Sequence, residues 1–377
     1  MINARPPMPP IRPVGRIRRS PFHDAVLAEG AESFLTYNRM LIPRGYGDTE
    51  AEYRRLTQGV AMWDVAAQRQ VELRGPDAAK LAQVLASRDL SAQAVGQGKY
   101  VALCDHRGVL INDPIALKLA PDRYWLSVSD SDIWTWARAV TGERGLNVTV
   151  GEPDASPLAI QGPRAEDTVA ALLGGWVRDL RYFWLREATL EGCPLIVSRS
   201  GWSKQGGFEL YLLDAAQGSK LWSLVREAGA QFDIGPGNPN PTERTESGLL
   251  NWDVDTDGET NPFEVRLGRF VDLDLPDDVI GMAALKRIAA EGPRRHLLGI
   301  ALDTAPAPED QAAKLIVLGP QGDPVGHMTH RAWSYRLGKT IGYGLVSRDV
   351  GPGDVVTVMG PDGPSDGVLS DLPFALP

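Results

Sequence analysis

Apolar and polar positions along this chain of 377 residues repeat with two different periods, and the period changes from one stretch to the next. V-E-L-R-G (71–75) alternates with period two and predicts a strand. P-D-A-A-K-L-A-Q-V-L-A (76–86) follows with helical spacing, and Pro76 suits a first helical turn. Y-V-A-L-C-D (100–105), H-R-G, and V-L-I-N-D-P-I-A-L-K-L (109–119) predict a hairpin closed by a Gly turn. R-Y-W-L-S-V-S (123–129) predicts a further strand. Helical spacing marks 130–143, 164–173, 216–230, 242–251 and 281–291, the first of these opening on D-S-D, which is good N-cap chemistry. A second strand-rich block covers 179–213. A-I-Q-G-P-R-A-E-D-T-V-A-A-L-L (159–173) repeats the order of R-G-P-D-A-A-K-L-A-Q-V-L (74–85): strand end, Gly-Pro, helix. Two copies of that unit predict two similar α+β halves.

Near Glu291-Gly292-Pro293 the pattern changes. H-L-L-G-I-A-L, K-L-I-V-L, V-G-H-M-T, T-I-G-Y-G-L-V, D-V-V-T-V-M and D-G-V-L-S are short strand-like runs separated by Gly, Pro and Asp. They predict a small antiparallel barrel. The expected organisation is an N-terminal arm over 1–18, flexible or lying on the surface, a two-lobed α+β region over 19–293, and a barrel over 294–377.

Composition narrows the function classes. Hydrophobic residues make up 43% and charged residues 23%, ordinary values for a chain with a real core. The net charge of -9, with no basic patch beyond the first twenty residues, argues against nucleic acid as a partner. No run of about 18 apolar residues predicts a membrane span. The charged, proline-rich start lacks the apolar core of a secretory signal. The two cysteines, Cys104 and Cys193, lie in apolar runs, read as small buried hydrophobes, and fit a cytoplasmic location.

Four groups of residues could carry chemistry. R-S-G-W-S-K-Q-G-G-F-E-L-Y (199–211) is a polar, Gly-rich turn that would let a ligand approach the backbone. The strand after it places Glu209 and Tyr211 on one face. The plainer alternative is an ordinary hairpin. L-I-N-D-P (110–114) ends an apolar strand on Asn112 and Asp113, an amide and a carboxylate that suit a heteroaromatic ring bearing N–H donors; a simple turn is the alternative. In E-R-T-E-S-G-L-L-N-W-D-V-D-T-D (243–257), Arg244 could clamp a ligand carboxylate or form a surface ion pair. The aspartates that follow lack the positions of a calcium loop. The chain has ten Trp; Tyr37, Trp63, Trp125, Trp202, Trp252 and Trp333 adjoin polar residues and include candidates for a face that binds an alkylated cation. The five histidines show no metal spacing, and His327 and His330 read as surface residues. No G-x-G-x-x-G, Walker A loop, H-E-x-x-H or G-x-S-x-G occurs.

Taken in order, T-Y-N-R-M-L-I-P (36–43), W-D-V-A-A-Q-R-Q-V (63–71), I-N-D-P (111–114), W-L-S-V-S-D-S-D (125–132), A-I-Q-G-P (159–163), R-S-G-W-S-K-Q-G-G-F-E-L-Y (199–211), E-R-T-E-S-G-L-L (243–250), N-P-F-E (261–264) and D-L-P-F (371–374) resemble the glycine cleavage T-protein (aminomethyltransferase) family. R-S-G-W-S-K-Q-G-G is similar to the branch that demethylates dimethylsulfoniopropionate. The resemblance implies an α+β, three-domain cloverleaf around a channel for tetrahydrofolate. It implies that Glu209 holds the pterin, that Asn112 and Asp113 lie beside the reacting nitrogen, and that Tyr211, Arg244 and Gln205 line the folate pocket. Tyr37, Trp202, Lys204 and Trp252 are the candidates for the methyl donor.

Two departures qualify the resemblance. T-proteins usually end the strand before the proline in two aspartates, whereas Asn112 stands first here, which points away from aminomethyl transfer from a lipoyl carrier. The demethylase pattern S-Y-G-N-D is N-W-D-V-D (251–255) here, with Trp252 and Val254 as the changed residues. The implied activity is methyl transfer from a sulfonium to N5 of tetrahydrofolate by a monomer or homodimer. The alternatives are an ammonium or aryl methyl ether donor, aminomethyl transfer, and a folate-binding regulator. The last is disfavoured because S-K-Q-G-G-F-E has no cysteine.

Overall fold

The computed structural model describes residues 15–305, 314–361 and 363–376. The expected arm over 1–18 therefore lies outside the described residues as far as residue 14. At its end, Arg18 bridges to Met40.

The two α+β halves are present and interleaved. One is a five-stranded antiparallel sheet in the order Thr149–Gly151, Gln70–Arg74, Arg123–Ser127, Ile115–Ala120, Gln97–Tyr100. Helices Ala78–Leu85 and Ile133–Glu143 cover it through Leu73, Leu81, Leu85, Leu126 and Ala137. The other is six-stranded, in the order Leu185–Leu190, Cys193–Ser198, Gly207–Leu212, Ser156–Gln161, Ala61–Asp64, Gly235–Gly237, with only the last pair parallel. Helices Ala165–Leu173 and Gly218–Gly229 close its core through Val169, Phe208, Leu210, Leu221 and Val225. Ala61–Asp64 precedes Gln70–Arg74 in the chain yet belongs to the other sheet, so the halves are threaded through each other.

The repeated Gly-Pro has one physical cause in both halves. Gly75 (φ +144°) and Gly162 (φ +124°) each bring the strand end against a backbone carbonyl. A Cβ would sit 2.5 Å from Asn147 O at Gly75 and 2.5 Å from Gly59 O at Gly162.

The barrel closes in the order Arg295–Leu302, Lys339–Ser347, Pro324–Ser334, Leu315–Leu318, Val355–Gly360, Gly363–Ser370. Ile300, Val317, Met328, Val346, Val358 and Leu369 fill it. Among the described residues no helix is long and apolar enough to cross a membrane. Both cysteines are buried.

Four sequence expectations need correction. The run 109–119 is not one strand. Leu110–Asn112 pairs with Leu103–Cys104 in a separate ribbon, and Ile115–Ala120 joins the five-stranded sheet. Pro114 has no N–H to continue a ladder and restricts Asp113, so the chain changes sheets there. The helix expected over 130–143 starts at Ile133, and the Asp132 carboxylate faces Arg39 and Arg69 instead of capping it. The helix expected over 242–251 is Pro241–Glu246, because Gly248 adopts a left-handed φ of +69° and turns the chain. His330 is not on the surface but 2% exposed. A register shift between Met328 and His330 turns it inward from a strand that runs on to Ser334.

The short helix Pro241–Glu246 ties the parts together. Asn240 caps it by accepting from Glu243 N at 2.9 Å. Glu243 Oε1 accepts from Lys204 N (3.0 Å), Gln205 Nε2 (2.9 Å) and Ser247 Oγ (2.7 Å). Arg244 Nη1 donates to Asp255 Oδ2 at 2.6 Å. Thr245 Oγ1 lies 2.7 Å from His330 Nε2 in the barrel. Glu246 accepts from Tyr53 OH (2.7 Å) and Ser334 Oγ (2.6 Å) and pairs with Arg336. These four consecutive residues are each 1% exposed or less.

Burial pushes the Asp255 carboxyl up, but Arg244 and His330 outweigh it and hold it well below the usual carboxylate range. Burial and Arg244 bring His330 down to about 4, so it is neutral at pH 7. Asp255→Asn should cost roughly 3–5 kcal/mol at pH 7, read by urea denaturation, because it leaves Arg244 buried without its counter-charge. A depressed carboxylate stabilises above its unfolded value and loses that contribution as pH falls. The difference between variant and parent should therefore shrink below about pH 4.

Candidate functional site

The site forms where the strand Gly207–Leu212 faces the first sheet. Alternation sends Phe208, Leu210 and Leu212 into the core of their own half. Glu209 and Tyr211 point the other way, and Tyr211 packs against Trp125 with ring centroids 6.1 Å apart. Glu209 is 6% exposed. Its Oε2 accepts from Ser200 Oγ (2.5 Å) and Tyr211 OH (3.2 Å). Burial raises the Glu209 carboxyl and the two hydroxyls partly offset the rise.

The turn before this strand is built around Gln161. Its Nε2 donates to Ser200 O at 3.1 Å, and its Oε1 accepts from Ser203 Oγ at 2.8 Å. A Cβ on Gly201 would come within 2.0 Å of Gln161 Nε2, and one on Gly207 within 2.4 Å of both Gln161 Nε2 and Ile160 O. Of the consecutive glycines expected to let a ligand approach, Gly207 admits Gln161, as Gly201 does, while a Cβ on Gly206 would meet nothing within 4 Å. Gln205 Nε2 is committed to Glu243. Lys204 is held through its backbone N–H, and the residue is exposed.

The second carboxylate, Asp113, sits at the sheet change. Tyr100 OH donates to its Oδ2 (2.6 Å) and Ser129 Oγ to its Oδ1 (2.7 Å). Burial pushes Asp113 up to about 6 against the pull of these hydroxyls, and Asp255 adds to the rise. Tyr37 lies beside Ser129 and within reach of the Asp113 charge, and burial raises its phenol. Tyr211 also reaches Ser127, two residues before Ser129, which connects the Glu209 and Asp113 environments through one segment of chain. Asn112 is 0% exposed, and its amide is closed entirely on the protein.

The two tryptophan candidates are held through their indole N–H groups. Trp252 Nε1 donates to Leu110 O (3.1 Å) and Trp202 Nε1 to Leu250 O (3.2 Å). The Arg244 guanidinium carbon lies 5.9 Å from the Trp202 ring centroid and 5.4 Å from that of Tyr343. Arg244 is therefore buried and paired with Asp255, not an open clamp, although its Nη2 has no acceptor among the described residues.

Sequence reasoning missed Tyr100, Ser129, Ser200, Gln161 and Glu243. The small polar residues of S-V-S-D-S-D after an apolar strand, and a Gln between such a strand and Gly-Pro, were the available signals. Gly207→Ala should cost about 1–3 kcal/mol in urea denaturation, since Ile160 O is backbone and cannot move aside; an unchanged midpoint would contradict the packing described.

Comparison with known proteins extends this picture. The GCVT N-terminal domain family matches residues 22–275, and the glycine cleavage T-protein C-terminal barrel domain family matches residues 295–375. The chain is 41% identical over 357 residues to the dimethylsulfoniopropionate demethylase DmdA of Ruegeria pomeroyi, covering 94% of this chain and 97% of that protein. It is 30% identical over 341 residues to an aminomethyltransferase of Symbiobacterium thermophilum, covering 88% and 89%. The crystal structure of the glycine cleavage system aminomethyltransferase T from Bartonella henselae shares the fold. Its TM-score is 0.82 at 21% identity, over 95% of this chain and 98% of that one.

Proposed function

Since the chain belongs to the glycine cleavage T-protein family, a family of tetrahydrofolate-dependent transferases, we propose that it moves a methyl group from a sulfonium, dimethylsulfoniopropionate, to N5 of tetrahydrofolate. The observation that carries this reading is the pair of buried carboxylates, Glu209 and Asp113, each hydrogen-bonded by hydroxyls. Such a wall attracts N–H donors and positive charge. Similarity to the demethylase over nearly the whole chain supports the donor.

The residues present suit a reduced pterin. Glu209 is a buried acceptor for ring N–H groups, and the unspent Arg244 Nη2 is a donor of the type a ring carbonyl requires. Bound tetrahydrofolate supplies the nucleophile, and the methyl–sulfur bond breaks with its electron pair going to sulfur, leaving a neutral thioether. The chain's own task is positioning, which is worth up to about 7–11 kcal/mol for well-aligned reactants. Glu209 and Tyr211 fix the ring. Asp113, with its pKa near 6, is mostly ionised at pH 7 and accepts the proton released on methylation. Tyr37, Trp202 and Trp252 offer aromatic faces to the cation, and exposed Lys204 suits the donor's carboxylate. Residues 19–293 would bind both substrates, with the barrel bracing them.

Aminomethyl transfer is the second reading, favoured by the relatives at 30% identity. Incubating the protein with tetrahydrofolate and a panel of sulfonium, betaine-type ammonium and aryl methyl ether donors, then quantifying 5-methyltetrahydrofolate, separates the cases. Product should form from dimethylsulfoniopropionate; product from none of the donors would remove methyl transfer from consideration. Glu209→Ala should weaken tetrahydrofolate binding at least tenfold by calorimetry, the loss of a buried charged acceptor being worth about 1.5–3 kcal/mol.

A further inference from the structure

Asn112 has no hydrogen-bonding capacity left for a ligand. Its Nδ2 donates to Ser129 O (3.1 Å) and Ser131 Oγ (2.7 Å), while its Oδ1 accepts from Ser129 N (3.0 Å) and Asp113 N (3.0 Å). A carboxamide has two donors and two acceptor lone pairs, so all four are used inside the protein. Two of the four grip both backbone groups of one residue, Ser129. Ser131 Oγ in turn donates to Ile111 O (3.1 Å), which closes the loop 129–131 onto the strand that carries Asn112. Held in this way, Ser129 aims its hydroxyl at Asp113 Oδ1, opposite the Tyr100 hydroxyl on Oδ2.

We propose that Asn112 is a positioning residue for the Asp113 carboxylate, acting through Ser129. The amide is the side chain that fits. A carboxylate at 112 could not donate to Ser129 O and would set an acceptor against a carbonyl. It would also place a second negative charge beside Asp113. Either effect disfavours the ionised form of Asp113. The other ionisable groups facing Asp113 are Tyr100 and Tyr37, both neutral phenols at pH 7, and Asp255, whose charge is paired with Arg244. Arg269 acts electrostatically on Tyr100. None of these occupies the place of Ser129, so the loop clamp sets the donor on Oδ1.

The inference rests on Asp113 being the ligand-facing carboxylate of the proposed function, but its test needs no substrate. Infrared difference titration of the full-length protein follows the protonated carboxyl stretch that disappears in Asp113→Asn. In Ser129→Ala and Asn112→Asp the midpoint of that band should move up by about one unit or more. In Ser129→Thr, which keeps the hydroxyl, it should stay at the parent value. Asn112→Ser, too short to span the loop, replaces Asn112→Asp if that variant fails to fold, and should shift the midpoint upward too. A folded variant at 112 with the parent midpoint overturns the proposal, as does an unchanged midpoint in Ser129→Ala. Absence of methyl transfer with a shifted midpoint would instead count against the proposed reaction and leave the positioning role standing.

Discussion

The buried ion pair between Arg244 and Asp255 is the contact on which the rest of the molecule depends. Two opposite charges, both removed from water, hold only when geometry and further hydrogen bonds offset their desolvation. Here the 2.6 Å contact is supplemented by His330 and Thr329 on Asp255 Oδ1 and by the Asn251 N–H on Oδ2. The pair fixes a helix of six residues that could not persist alone. That helix then distributes its neighbours among three parts of the molecule. Glu243 grips the 203–205 turn, Thr245 meets the barrel, and Glu246 joins Tyr53 to Ser334.

The site inherits its order from this arrangement. Glu209 follows the turn that Glu243 and Gln161 hold in shape. Asp113 stands where Pro114 forces the chain from one sheet to another. Both carboxylates are buried, both are bonded by hydroxyls, and burial raises both above their usual range. Their neighbours Tyr211, Ser127 and Ser129 link the two environments across the junction of the halves. Among the described residues the barrel donates no hydrogen bond to either carboxylate; it braces the helix behind Arg244.

Elements and faces were largely legible in the chain. Period-two alternation put Glu209 and Tyr211 on one side of a strand, and the Gly-Pro repeat announced two related halves. The polar interior was not legible. Arg244 looked like a ligand clamp or a surface ion pair because polarity along a chain suggests exposure, yet it is buried against Asp255, and its neighbours Glu243, Thr245 and Glu246 find partners far away in the chain. His330 looked like a surface residue for the same reason. Gly201 and Gly207 do mark a close approach, but the approaching group is Gln161, a residue about forty positions earlier. Tyr100 and Ser129 acquire meaning only once Asp113 is placed between them.

In the proposed function, Glu209 and Asp113 form one wall of a tetrahydrofolate site. A crystal structure of the protein with tetrahydrofolate tests it most directly. The pterin ring should lie against the Glu209 carboxylate with N5 toward Asp113. Ordered folate bound elsewhere, with both carboxylates facing only protein and solvent, would contradict it.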